Sequence, residues 1–580
     1  VATTDQIYNE FSSGKQDLVA LRSYIRMFYD KADTEDEIPD NVLLFGDASF
    51  DYKGIGPANN SYTEQNFVPT YQSEYSFKLG PSYCTDDFLT FLDVSEGDDM
   101  NSDGMDIGIG RMVVQSLSQA HAMVDKIENY YSINSFGDWR SNICFVADDI
   151  DDESWEYRLQ EDIDEIAQNI DTNYHNYNIN KIYLDTYQQE SSSGGQRYPG
   201  ARQAIIDNVN KGVLIMHYYG HGGEVGWAEE RVLGLTDINA WENMDNLPVF
   251  VTATCEFSRY DDAERISAGE QVFLNPKGAG IALFTTTRTI SANDAKSLSE
   301  TFYRYAIPET AGAILTFGEI MKGLKNDLNL SGIYANKSRF TLLGDPALKL
   351  PIPYLDVVVT EVLNINTNQI DTIQALSKVR VKGAVLSKDG FIQDSFNGFL
   401  KPKVYDKPLQ IQTLNNDHEN LEPFYFDLQQ SILHSGNVSV KNGLFEFEFI
   451  APQDINFAEG FGKFSFYAFS DTDDAIGSYV DVVIGGFDAN ADQDEEGPIV
   501  ELFLNHSDFR YGGITDSNPS LYAIISDDSG INTTGNGIGH DIVATIDENS
   551  QTSVVLNNYY ESNIDSYQSG VLIYPYSNIE

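Results

Sequence analysis

Two stretches decide the fold: VLIMHYYGHGGE at residues 213–224 and PVFVTATCEFSR at residues 248–259. Each is a short, nearly continuous apolar run that stops at a reactive side chain. Strands with both faces apolar belong to parallel sheets covered by helices on both sides. In such sheets functional residues collect at the carboxyl ends of strands. His221 and Cys255 stand just past two such ends, 34 residues apart, a spacing that fits one strand–helix–strand crossover.

Outward from this pair the pattern repeats. Strands are expected at Asn41–Ala48, Ile107–Val114, Asn142–Asp148, Lys181–Thr186 and Gly280–Arg288, beside Val213–Tyr219 and Pro248–Cys255. Helical spacing separates them. Leu117, Ala120, Val124, Ile127 and Tyr131 share one helix face, as do Trp155, Leu159, Ile163, Ile166 and Ile170. Further helices are expected at 201–210, 267–275 and 295–305. This alternation predicts an α/β region with mostly parallel sheets, in two subdomains, residues 1–138 and 139–352.

After Pro351-Ile-Pro353 helical spacing disappears, and short alternating runs such as Lys378–Val385, Leu444–Phe449 and Lys463–Phe469 follow. Residues 353–487 read as an immunoglobulin-like β-sandwich. Residues 488–580 read as an acidic linker, DANADQDEEG, and the start of a further β domain. The chain begins at Val1 without a signal peptide and ends near a strand-like run, Val571–Tyr574, so it is read as part of a longer polypeptide.

The 580 residues carry 89 acidic and 36 basic side chains, a formal net charge of −53. Phosphate binding needs clustered Lys and Arg, so nucleic acid is excluded as a partner. An anionic bilayer is disfavoured for the same reason. Solvated acidic surface and divalent-cation binding both remain open. No apolar run is long enough to span a membrane. Three cysteines, Cys84, Cys144 and Cys255, cannot build a full disulfide framework.

A thiol and an imidazole on one rim suit nucleophilic acyl transfer: Cys255 attacks, and His221 takes and returns the proton. Gly220, Gly222 and Gly223 let a substrate approach the backbone, and the N–H groups of Gly222 and Cys255 are the expected oxyanion donors. His217, inside the apolar run, reads as a core residue, and Cys84 and Cys144 as structural. A strand-end Cys is also an ordinary small buried residue, and a His between glycines also marks a turn. No cofactor is required for this chemistry. The run Asp99-Met-Asn101-Ser-Asp103-Gly104 has the spacing of the first half of a calcium loop. Gly110 stands where the bidentate Glu would be, which excludes an EF-hand and leaves an irregular loop for a structural calcium at Asp99, Asn101 and Asp103.

The GHGG and TATCEF pair resembles the gingipain family, relatives of the caspase-like cysteine peptidases. That clan often has Ala before its Cys; here Thr254 intervenes after Ala253. The segments IYNEFSSGKQD (7–17), LLFGDASFDYKG (43–54), CTDDF (84–88), DIGIGRM (106–112), TATCEFSRYDD (252–262) and LLGDPALKL (342–350) look like the branch that serves as sortase of the bacterial type IX secretion system. The resemblance spans roughly residues 1–350. It implies a caspase-like fold and a cell-surface cysteine peptidase or transpeptidase on the outer membrane. It also implies secreted cargo bearing a C-terminal signal domain as substrate, lipopolysaccharide as acceptor, and secretion-system subunits as partners. It further implies an acid that orients His221, for which the matching position is Asp106; a solvated strand-entry Asp is the competing reading. No acid lies between Val113 and Gln119, so trypsin-like specificity is not expected. A purely hydrolytic gingipain-like endopeptidase and a non-catalytic surface scaffold are the alternatives.

Overall fold

A computed structural model describes the chain except residues 53–66, 75–77, 79, 99, 101, 152–154, 263, 308–313, 328–336, 418–421, 490, 492–495, 534–540, 548–552, 577, 578 and 580. Eight strands make one sheet: β1 (Asn41–Phe45), β2 (Gly108–Met112), β3 (Asn142–Ala147), β4 (Asn178–Tyr183), β5 (Ile215–Tyr219), β6 (Val249–Ala253), β7 (Ala282–Thr286) and β8 (Phe340–Leu343). Their spatial order is β1-β2-β8-β7-β6-β5-β3-β4. The pairs β1–β2, β2–β8, β7–β6, β6–β5 and β5–β3 are parallel; β7–β8 is antiparallel. The sheet is thus mostly parallel, with β8, β2 and β1 running against β7, β6, β5 and β3.

Every residue of β2, β5, β6, β7 and β8 is buried, as expected for strands covered on both faces. Met112, Cys144, Met216, Phe250, Leu283 and Leu343 meet in one core. Helices fall where the spacing placed them: Leu117–Tyr130, Arg158–Asn173, Pro199–Lys211, Ala268–Leu274 and Ala292–Ala306. Ser291 caps the last of these by accepting the N–H of Asp294. β4 starts three residues before its expected position and gives way to a short 3₁₀ turn at Leu184–Thr186. Burial pairs Ile179 and Ile182–Tyr183 with the core, so the polar residues between them belong to the strand.

The division expected near Asp138 does not separate two sheets. β1 and β2 extend the same sheet, joined to it through the pair Arg111 and Leu343. Val1–Asn173, Ile179–Ile352 and Ile411–Phe426 form one compact unit. The other comprises Tyr174–Asn178, Pro353–Gln410 and Asp427–Glu580. It is all-β, with one core around Val381, Phe447, Phe464 and Val482 and a smaller one around Ala523, Ile525, Tyr560 and Leu572. A four-stranded sheet in it orders Ile499–Leu504, Ser520–Ser526, Ser569–Pro575 and Tyr560–Ser562. Among the described residues no helix is long and apolar enough to cross a membrane.

Candidate active site

Register brings the site together. Ala253 of β6 pairs with Tyr219 of β5, and Tyr219 pairs in turn with Ala147 of β3. Cys255 and His221 each stand two residues beyond that level, and Asp148 stands one beyond it. Three neighbouring strands therefore deliver a thiol, an imidazole and a carboxylate to one rim. His221 and Cys255 line the same cavity of about 500 Å³, with Trp155, Leu159, Ile290 and Ala292 among its walls.

Two glycines make the close approach work. A Cβ on Gly220 would lie 2.3 Å from the Cβ of Asp148, so a side chain there would displace the acid from beneath His221. A Cβ on Gly222 would lie 2.6 Å from the Thr254 hydroxyl, which sets Gly222 directly against the residue preceding Cys255. Gly222 belongs to a two-residue strand paired with Gly226–Trp227. Past Cys255 the chain turns sharply: Glu256 has φ 54°, a left-handed conformation that costs a non-glycine residue on the order of 1 kcal/mol.

Asp148 is fully buried, and its Oδ2 accepts both the backbone N–H of His221 at 2.7 Å and the ring Nδ1–H at 2.9 Å. A carboxylate accepts only, so Nδ1 carries the hydrogen. Nε2 of the ring lies 3.3 Å from Oε1 of Glu156, and Asp151 stands 3.9 Å from Nδ1. The hydrogen bond to Asp148 leads in raising the imidazolium pKa to about 9 against the opposing pull of burial. Burial pushes the Cys255 thiol above its usual value, and its S–H points at the Ile290 carbonyl, 3.9 Å away. The resting site is therefore a neutral thiol beside a protonated imidazole.

The acid expected to orient His221 was Asp106, and the structure puts it elsewhere. Its Oδ2 accepts the backbone N–H of Leu92 at 2.7 Å, and Oδ1 lies 3.5 Å from the Tyr29 hydroxyl. β8, β7 and β6 stand between its strand β2 and β5, a lateral separation of roughly 19 Å at ~4.8 Å per strand. Asp148 holds the position instead. Its signal was present, since the apolar run NICFVA ends at Asp148 as the neighbouring runs end at His221 and Cys255. Of the expected calcium loop, Asp99 and Asn101 lie outside the described residues, and Asp103 accepts the N–H of Gly97 at 2.7 Å.

Neither the other cysteines nor the second histidine lines the cavity of His221 and Cys255. His217 is fully buried, with Nδ1 at 3.0 Å from the Tyr303 hydroxyl and Nε2 at 3.0 Å from Ser299 Oγ. Cys84 and Cys144 are buried thiols. Two buried ion pairs draw on the motifs of the sequence. Arg111 grips both oxygens of Asp86 at 2.8 and 2.6 Å, and Arg288 both oxygens of Asp261 at 2.7 and 2.6 Å, all fully or nearly fully buried.

A family model described as Peptidase family C25 matches residues 1–351. Among curated proteins none matches the chain. The crystal structure of dimeric latent PorU from Porphyromonas gingivalis is similar at 24% identity over 99% of this chain and 48% of that one, with a TM-score of 0.36. This chain thus spans about half the length of that relative. The complex of RgpB pro- and mature domains from the same organism is 15% identical over 81% of this chain and 92% of that one, with a TM-score of 0.46. The family match takes in more than half of the chain, every strand of the eight-stranded sheet and the rim that carries Asp148, His221 and Cys255; the chain belongs to Peptidase family C25.

Proposed function

We propose that the chain is the catalytic part of a cell-surface cysteine peptidase that acts as a transpeptidase. The observation that carries the reading is the shared register of His221 and Cys255 at the ends of β5 and β6, facing one cavity. The reactive form is the one in which the imidazolium has first released its Nε2 proton to solvent; Nε2 then takes the thiol proton as Cys255 Sγ attacks a substrate carbonyl, and delivers it to the departing amine. For this step Nε2 leaves Glu156 and Sγ leaves the Ile290 carbonyl. Asp148 fixes the tautomer and stabilises the imidazolium by its opposite charge. The N–H groups of Gly222 and Cys255 receive the negative oxygen of the tetrahedral intermediate. The acyl thioester then passes to water in a peptidase cycle or to an amine in a transfer cycle.

The substrate in this reading is secreted cargo carrying a C-terminal signal domain, and the acceptor is an amine of anionic lipopolysaccharide on the outer face of the outer membrane. Secretion-system subunits are its partners there. The motif resemblance across the first 350 residues supports transfer over hydrolysis alone. The test has two parts. A thiol-directed peptide probe should label Cys255 and fail on Cys255→Ala; an unlabelled native chain would leave a non-catalytic scaffold. Cargo cleavage in the presence of an amine acceptor should give acceptor-linked product; hydrolysed product alone would leave a gingipain-like endopeptidase.

A further inference from the structure

Behind the His221 ring lies a group of carboxylates that the dyad does not use. Asp148, Asp149 and Glu230 are 0%, 1% and 2% exposed. Each offers one carboxylate oxygen, and the three atoms lie within 4.8 Å of one another. Asp148 Oδ1, Asp149 Oδ1 and Glu230 Oε2 are buried with no hydrogen-bond partner. Hydrogen bonds serve the other oxygens: Asp148 Oδ2 holds His221, and Asp149 Oδ2 accepts the Tyr198 hydroxyl at 2.5 Å.

Among the described residues His221 is the one basic side chain paired with this group, and it reaches only Asp148; neither Asp149 nor Glu230 has an ion pair. Asp151, a neighbour of the group, also has a buried oxygen, Oδ2, that accepts no hydrogen bond and lies 3.9 Å from His221 Nδ1. An unpaired buried carboxylate oxygen costs kilocalories, and several facing each other cost more unless a proton or a cation joins them.

We propose that Asp148, Asp149 and Glu230 form a buried seat for a hard divalent cation of the calcium type, directly behind the catalytic histidine. An all-oxygen, all-carboxylate donor set selects such an ion over softer metals. Calcium accepts irregular geometry and six to eight oxygens, so backbone carbonyls or water complete its shell more readily than they complete the strict octahedron of magnesium. The ion takes the oxygen of Asp148 that His221 leaves free. Asp148 then bridges cation and imidazole, and the ion acts as a positioning group for the dyad. This seat is distinct from the loop at Asp99, Asn101 and Asp103.

The test reads binding rather than activity, so its failure is separate from failure of the peptidase assignment. The full chain carrying Cys255→Ala is stripped of metal and titrated with CaCl₂ in a calorimeter at about 0.5 M KCl, where weak surface binding is screened. One tight equivalent is expected. Asp149→Asn and Glu230→Gln should weaken it about 100-fold or more, while Asp106→Asn, in the separate acidic group with Asp93 and Glu96, should leave it intact. Terbium emission sensitised by Tyr198 and displaced by calcium reports the same seat without substitution there, should either variant fail to fold. Calcium bound equally well by Asp149→Asn or Glu230→Gln overturns the proposal. So does the absence of both a tight equivalent of calcium, magnesium or manganese and a calcium-displaceable terbium signal.

Discussion

Asp148 holds His221 at two points through a single oxygen, accepting the ring Nδ1–H at 2.9 Å and the backbone N–H at 2.7 Å. The double contact fixes ring orientation and tautomer together. Asp148→Asn puts an amide where the acceptor stood and favours the wrong tautomer. We expect kcat/KM to fall by about 10³- to 10⁴-fold with the fold intact. Asp106→Asn, at a side chain that accepts from the Leu92 N–H and the Tyr29 hydroxyl, should leave kcat/KM within about twofold and cost roughly 1 kcal/mol of stability. Peptide-probe kinetics and urea unfolding on both variants check this; equal kinetic losses would return the orienting role to Asp106.

The contrast between these two acids marks how much the sequence could say. The apolar runs ending at His221 and Cys255 are readable because a fully buried parallel strand has a plain signature, and seven expected strands of the sheet are present. β8 escaped, since FTLL is four residues long and runs straight into a Gly-Asp-Pro turn. Asp106 attracted the orienting role because its motif resembled a relative's, while lateral strand order, which puts β3 beside β5 and β2 four strands away, is not written in any local pattern. The Asp261–Arg288 and Asp86–Arg111 pairs were hidden for the same reason: their partners are distant in the chain and meet only through that order.

Cys255 should not be a preformed thiolate. Burial raises its pKa above the ordinary thiol value of 9.0, so less than about 1% is ionised at pH 7. Iodoacetamide alkylation of the Cys255 peptide, followed by mass spectrometry, should still be accelerating at pH 9. A rate already flat between pH 6 and 7 would mean a resting thiolate–imidazolium pair instead.

Specificity should favour apolar side chains at the residue preceding the scissile bond. Trp155, Leu159, Ile290 and Ala292 line the cavity, and the acid that lines it, Asp162, is already bound to Lys296 at 2.9 Å and Arg158 at 3.6 Å. A basic substrate side chain would be desolvated there without a free partner. Peptides with Leu or Val in that position should be cleaved at least about tenfold faster than the same peptides with Arg or Lys. A preference for Arg in a library assay would contradict the assignment of this cavity.

Asp261, six residues beyond Cys255 in the chain, pairs with Arg288, and both are fully buried. Asp261→Asn leaves the Arg288 guanidinium without its counter-charge in the interior. The expected cost is about 3–5 kcal/mol, seen as a lower Tm and urea midpoint. Replacing both members together, Asp261→Leu with Arg288→Met, should recover part of that loss, because the uncompensated charge is removed as well. If the double variant is no more stable than Asp261→Asn, shape rather than charge holds this turn.

His217 sets a window for acid stability. It is fully buried against Phe145 and Tyr303, and burial lowers its pKa from 6.5 to about 3. Between those values the unfolded chain takes up a proton that the folded one refuses, so stability is lost as pH falls from about 6.5 towards 3. The contribution is on the order of 5 kcal/mol across the window. His217→Gln offers a donor and an acceptor to Ser299 and Tyr303 but cannot titrate. Its stability at pH 7 should be lower than that of the native chain, while its further loss between pH 6.5 and pH 4 should be smaller. Urea unfolding of the two proteins at both pH values gives the difference directly; identical slopes would show that His217 is already protonated in the folded core.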